Sequence, residues 1–184
     1  WLSKGMSVSH TALFKYNKAM ANYFSKYKFQ GDYILRNIFA KEIKIALGQF
    51  PGYTIVPIPI SENRKEERGF NQVEGILTAA NISYELLLGK QDSKKQSSQN
   101  RKERLEMHQQ FFLQDGKNIP DKILLIDDIY TTGSTLQSAK HTIMKTGKKE
   151  IKTFSLARWE NGCNFVVIWY NNNREKRRKP RKRY

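Results

Sequence analysis

Residues 123–135 read ILLIDDIYTTGST, and this stretch decides the fold. Ile123 to Ile126 is an aliphatic run suited to a strand buried on both faces. Asp127 and Asp128 follow where that strand would leave its sheet, at the carboxyl edge where open α/β sheets bind ligands. Their carboxylates can accept hydrogen bonds from a ribose diol. The next residues, Thr131 to Thr135, offer backbone N–H groups and the hydroxyls of Thr131, Thr132, Ser134 and Thr135 at the positive end of a helix predicted over Thr135–Lys145. Gly133 permits a positive φ or a close approach of backbone to a phosphate. A ribose clamp beside a phosphate cradle reads as a site for a ribose 5-phosphate group.

Working outward, Ile151–Ala157 supplies a second strand after a stop at Gly147. Upstream, Tyr53 to Ile60 is short, β-branched and apolar, and Pro57 and Pro59 fix its end, so it reads as another buried strand. A polar loop is expected after it, then a helical stretch over residues 72–88. Residues 90–104 are almost devoid of apolar side chains, which predicts a long loop, and Phe111–Leu113 begins a short strand. Leu13, Tyr16, Met20, Tyr23, Phe24 and Tyr27 recur at three- and four-residue steps and predict an amphipathic helix from Ala12 to Phe29, with a second helical pattern from Ile34 to Leu47. Strands alternating with helices mean an α/β fold with a central, mainly parallel sheet of about five strands, flanked by helices. The expected organisation is an N-terminal helical hood over residues 1–50, an α/β core over 51–158 and a basic extension over 159–184.

Composition narrows the function. The chain has 184 residues, 39% of them apolar and 27% charged, enough for one folded domain. A single cysteine, Cys163, excludes an intrachain disulfide, and no Cys and His residues stand at structural-zinc spacing. The longest apolar run, Phe165 to Tyr170, is far short of the roughly 20 residues that span a bilayer, and no signal-like segment opens the sequence, so no membrane span and a cytoplasmic location are expected. The net charge is +16; residues 159–184 carry eight Lys or Arg and two Glu, which leaves +10 on residues 1–158. Arg174 to Arg183 is a charge block with no apolar face to bury, and the chain from Asn171 onward is expected to be disordered. Such a charge makes nucleic acid, acidic lipid and phosphorylated small molecules the partners to test, and single-stranded DNA is expected to bind without sequence preference.

The thirteen-residue stretch resembles the phosphoribosyl pyrophosphate (PRPP) signature of type I phosphoribosyltransferases. VPIPIS at 56–61, Arg64, ERGFNQ at 67–72, QSSQNRKER at 96–104 and TFSLAR at 153–158 extend the likeness to the ComF, or ComFC, family of competence-associated phosphoribosyltransferase-like proteins. The resemblance implies a type I phosphoribosyltransferase fold, with Pro57, Ile58, Pro59, Ile60 and Ser61 as the pyrophosphate loop. It makes Asp127 and Asp128 the ligands of the ribose hydroxyls and Thr131, Thr132, Gly133, Ser134 and Thr135 the 5-phosphate loop. Arg101 and Arg104 would sit on a mobile loop that closes over the reacting centre. Arg64 and Arg68 flank the anion-facing strand end; Arg68 either reaches the anion or holds the loop by pairing with Glu67 or Asp128. Mg²⁺ would arrive with PRPP, held by pyrophosphate, ribose and water rather than by direct protein ligation.

The sequence departs from the family pattern in three ways: it lacks the Cys-rich zinc segment with which members commonly begin, which implies loss or trimming of that segment; it has Met107 where Asn is favoured; and it continues for 26 residues past the SLAR strand. The implied role is uptake or processing of transforming DNA. Two rivals stand beside it: a non-enzymatic adaptor that binds DNA or a competence helicase and keeps a relic nucleotide pocket, and a nucleotide-salvage phosphoribosyltransferase. No base-specificity loop or glutaminase motif supports the latter.

Overall fold

A computed structural model describes residues 10–91 and 111–159. Four strands form a wholly parallel sheet: β1 (His10–Lys15), β2 (Thr54–Pro57), β5 (Lys122–Tyr130) and β6 (Glu150–Arg158), in the spatial order β1-β6-β5-β2. A separate antiparallel pair, β3 (Leu88–Lys90) with β4 (Phe111–Leu113), lies between β2 and β5 in the chain. The helices are α1 (Lys18–Phe29), α2 (Ala40–Leu47), α3 (Glu62–Arg68), α4 (Gln72–Ala79) and α5 (Ser134–Met144), with a short 3₁₀ turn over Tyr33–Asn37. This is the α/β architecture expected from the alternating pattern, with β5, α5 and β6 forming a right-sized βαβ unit.

The sheet is covered on both faces. Leu124 and Ile126 of β5 face a core built with α1, α2 and α4, including Tyr27, Ile43 and Leu77. Ile123 and Leu125 face the opposite core, with α5 and the β3–β4 pair. Successive strand residues point to opposite faces, so the continuous aliphatic run is what a doubly covered strand requires. Phe154 and Leu156 of β6 join the first core.

Three local readings are corrected. Ala12 to Lys15 is not helical: it belongs to β1, which pairs with β6 in the register His10 with Thr153 and Phe14 with Ala157. Helix α1 begins only after Asn17, whose side chain accepts the Met20 N–H at 3.0 Å. Leu13 and Tyr16 happen to fit the helical period, but Asn17 is the start signal that separates strand from helix. The polar stretch after Ser61 is helix α3, terminated by Gly69 at φ 76°. It is exposed along most of its length, so no apolar stripe betrays it. The helix expected over 72–88 ends at Ala79, and Asn81 turns the chain at φ 53°.

Candidate functional site

The carboxyl ends of β2 and β5 converge on one edge of the sheet. At β2, Pro57 and Ile58 are buried, Pro59 and Ile60 half-buried, and Ser61 buried, so their side chains mostly serve the core. The Ile58 N–H donates to the Ile126 carbonyl at 2.8 Å, and the prolines have no N–H. What residues 57–61 can offer an anion is therefore the N–H of Ile60, that of Ser61 and the hydroxyl of Ser61, backed by the first turn of α3.

Each residue of the RGFNQ segment at 68–72 has a task in fixing this edge. Gly69 stops α3 in the left-handed region. Phe70 packs on Tyr27 and Tyr33 with ring centroids at 5.0 and 4.8 Å. Asn71 caps α4 by accepting from the N–H groups of Val73 and Glu74, and its amide donates to the Ile58 carbonyl at 3.0 Å. Gln72 is buried and donates from Nε2 to Asp128 Oδ2 at 2.7 Å while its Oε1 accepts from Arg68 at 3.2 Å. Arg68 thus reaches Asp128 through Gln72, rather than by direct pairing.

Asp127 and Asp128 lie within β5 rather than where it leaves the sheet, because pairing with β6 continues to Tyr130 opposite Arg158, and strand alternation divides the two acids. Asp128 lies on the α1 and α4 side, where its Oδ2 also meets Lys28 Nζ of α1 at 2.6 Å and its Oδ1 accepts the Ile129 N–H at 2.6 Å. Asp127 lies on the other face, and its Oδ1 accepts the Asp128 N–H at 2.9 Å. Burial pushes the Asp127 carboxyl up to about 7, and the neighbouring Asp128 charge adds to this. Burial also works against the Asp128 charge, but Lys28, Gln72 and the Ile129 N–H outweigh it and hold that carboxyl below its ordinary range.

Around the pair stand Arg64, Arg68 and Lys90. Lys90 of β3 is pulled down first by burial and then by the Arg64 charge, and Arg68 likewise. Among the described residues neither Arg64 nor Lys90 pairs with a carboxylate within 4.0 Å. Cations held close enough to depress one another, beside a turn of backbone donors, form a place for a polyanion. Lys28, Gln72 and Lys90 were missed from sequence; Lys90, standing alone at the start of a polar loop, carried no local signal.

The turn after β5 presents a second group of donors. Gly133 is the N-cap of α5 at φ 77°, with no side-chain cap on the helix. Thr131, Thr132 and Ser134 are exposed and Thr135 is half-buried. Thr132 Oγ1 lies 3.0 Å from Ser134 Oγ. Tyr130 stacks on His10 at 3.9 Å between centroids, lies under Arg158 and covers Gly133 so closely that a Cβ there would meet its hydroxyl. Its ring is therefore packed within the protein. Arg101 and Arg104, and the extension beyond 159, lie outside the described residues.

A doubly covered parallel sheet whose central strand carries two adjacent carboxylates near its carboxyl end, followed by a hydroxyl-rich turn into a helix, defines a phosphoribosyltransferase-like domain. Residues 72–182 match the model of the phosphoribosyl transferase domain. The chain is 49% identical over 158 residues to the competence protein ComFC of Streptococcus pneumoniae, covering 86% of this chain and 72% of that protein. It is 32% identical over 151 residues to the competence protein ComFC of Bacillus subtilis, covering 80% and 63% respectively. A solved hypoxanthine phosphoribosyltransferase from Staphylococcus aureus aligns with a TM-score of 0.43 and 14% identity, over 83% of this chain and 80% of that one. The chain belongs to the ComF/ComFC family of phosphoribosyltransferase-like competence proteins. No helix among the described residues is long and apolar enough to cross a membrane.

Proposed function

We propose that this chain binds PRPP at the carboxyl edge of its sheet and acts as a phosphoribosyltransferase-like component of DNA uptake or processing. The observation that carries this reading is the presence of three chemically different groups near the carboxyl ends of β2 and β5: a turn of hydroxyls and N–H groups at 131–135, the acid pair, and a cluster of Arg64, Arg68 and Lys90 beside residues 57–61. They match in order a 5-phosphate, a ribose diol and a pyrophosphate. Lys90 and Arg64 neutralise the pyrophosphate by charge-assisted hydrogen bonds, while Asp127 beside the ribose stabilises positive charge as the C1 bond to pyrophosphate lengthens. Arg101 and Arg104 belong to this reading through the family resemblance.

Mg²⁺ fits this site as the companion of pyrophosphate. In this reading PRPP oxygens and water would hold the ion, with Asp127 beside it. When bound it would neutralise charge on the leaving group. Single-stranded DNA is the second partner, supported by the net charge of +16.

The test is calorimetric titration of the full chain with PRPP in the presence of Mg²⁺. Saturable one-site binding is expected, weakened by about 1.5–3 kcal/mol in Asp127→Asn through lost charge-assisted hydrogen bonds. Equal affinity in parent and variant would defeat the site assignment. DNA binding that survives while PRPP fails to bind would favour the adaptor.

A further inference from the structure

The two carboxylates near the carboxyl end of β5 are not equivalent. Asp128 receives three donors: Lys28 Nζ at 2.6 Å and Gln72 Nε2 at 2.7 Å on Oδ2, and the Ile129 N–H at 2.6 Å on Oδ1. The side chains of Lys28 and Asp128 are only 12% and 10% exposed, so this ion pair is largely out of water. There its attraction is weakly screened, and losing one partner strands the other as an unpaired buried charge. Lys28 is aimed by packing, since its ammonium lies 4.6 Å from the centroid of the Phe24 ring, one helical turn back on α1. Gln72 is oriented as well, because Arg68 donates to its oxygen and thereby presents its NH₂ to Asp128. Asp128 therefore has little accepting capacity left. Asp127 sits on the opposite face, half-buried.

We propose that Lys28 is a positioning residue that divides the acid pair: it holds Asp128 as a fixed, charged anchor of the strand end and leaves Asp127 as the carboxyl that meets the sugar hydroxyls. This deepens the PRPP reading above and rests on it. The charged and titratable groups facing the pair are Lys28, Tyr23 and Tyr27 from α1, Arg68 from α3 with Arg64 behind it, Gln72 as a neutral donor from α4, and Lys90 from β3. Of these cations, Lys28 alone touches Asp128. Its removal leaves two neighbouring carboxyls competing for one proton, the situation in which neither keeps a defined role.

The experiment uses the full chain labelled with ¹³C in its aspartate carboxyls and compares the parent with Lys28→Met and Lys28→Arg. In the parent, Asp128 should titrate well below Asp127. In Lys28→Met the low step should rise by about one pH unit or more, as expected for loss of an adjacent opposite charge, and PRPP affinity measured with Mg²⁺ should fall about tenfold. Lys28→Arg should restore both. Where Lys28→Met does not fold, Lys28→Gln, which keeps a donor without the charge, carries the same comparison. A low step that stays in place, an unchanged affinity, or a loss that arginine does not rescue overturns the role of Lys28. A parent that binds no PRPP overturns the functional reading instead, which separates the two failures.

Discussion

Asn71 ties the loop at 57–61 to the start of α4. It is 6% exposed and makes three hydrogen bonds: its Oδ1 accepts from the Val73 N–H at 2.9 Å and the Glu74 N–H at 3.4 Å, and its Nδ2 donates to the Ile58 carbonyl at 3.0 Å. Asn71→Ala removes the cap of α4, worth about 0.5–2 kcal/mol. It also leaves the Ile58 carbonyl without that donor, at a cost of about 1–3 kcal/mol. The sum is a loss of roughly 1.5–5 kcal/mol, readable as a shift of the denaturant midpoint at unchanged slope. Asn71→Asp separates the two contributions. It keeps the acceptor for Val73 and Glu74 and gains about 0.3–1 kcal/mol from negative charge at a helix N-terminus, but has no proton to give Ile58 at neutral pH. Its stability should fall between parent and alanine variant, while its PRPP affinity should drop along with that of the alanine variant, because both untie the loop. The reasoning is refuted if Asn71→Ala stays within about 0.5 kcal/mol of the parent, or if the aspartate variant is no more stable than the alanine.

Further outcomes follow from the same geometry. His10 is buried between β1 and β6, bonded to Thr153 and Ser155 at 3.0 Å each, and burial, helped by the Arg158 charge, lowers its pKa to about 3. Its folded pKa is depressed, so the stability it contributes is present above the unfolded value near 6.5 and is lost as pH falls towards 3; in His10→Gln, thermal midpoints between pH 7 and 4 should fall less steeply than in the parent. Asp127 has the opposite sign. Its folded pKa is raised, so its contribution is present at low pH and lost as pH rises through about 7, and Asp127→Asn should raise the midpoint at pH 8 more than at pH 5 while weakening PRPP binding. Gly133→Ala forces an L-residue to φ 77° and drives Tyr130 from its seat, costing about 1–2 kcal/mol or more in denaturant unfolding and disturbing the 131–135 turn.

The strand over 123–126, the acid pair, the turn and the helix over 134–144 are legible because every signal there is local: an aliphatic run, a glycine that takes positive φ, and a helix following at once; that β5 continues past the acids to Tyr130 is not, since it depends on pairing with β6. The edge strand at 10–15 was not, because its identity comes from pairing with β6, more than a hundred residues away, and Leu13 and Tyr16 fit either period. Helix α3 was hidden by its exposure, although Ser61 before it and Gly69 after it mark both ends. The site shows the same division. Asp127, Asp128 and the 131–135 turn announce themselves by adjacency. Lys28 and Gln72 do not, since each becomes a partner of Asp128 only when α1 and α4 pack on the same face of β5, and a lysine near the end of an amphipathic helix reads as an ordinary solvated charge.

The central claim is that one PRPP molecule spans the 131–135 turn, the acid pair and residues 57–61. Backbone amide mapping tests it most directly: PRPP with Mg²⁺ is added to the ¹⁵N-labelled full chain and the shifted resonances are assigned. The account predicts saturable shifts concentrated at Thr131–Thr135, Asp127, Asp128, Ile60 and Ser61, with ribose 5-phosphate alone shifting the first group and pyrophosphate alone the last. Saturable shifts confined to another surface, or none at millimolar PRPP, would contradict it.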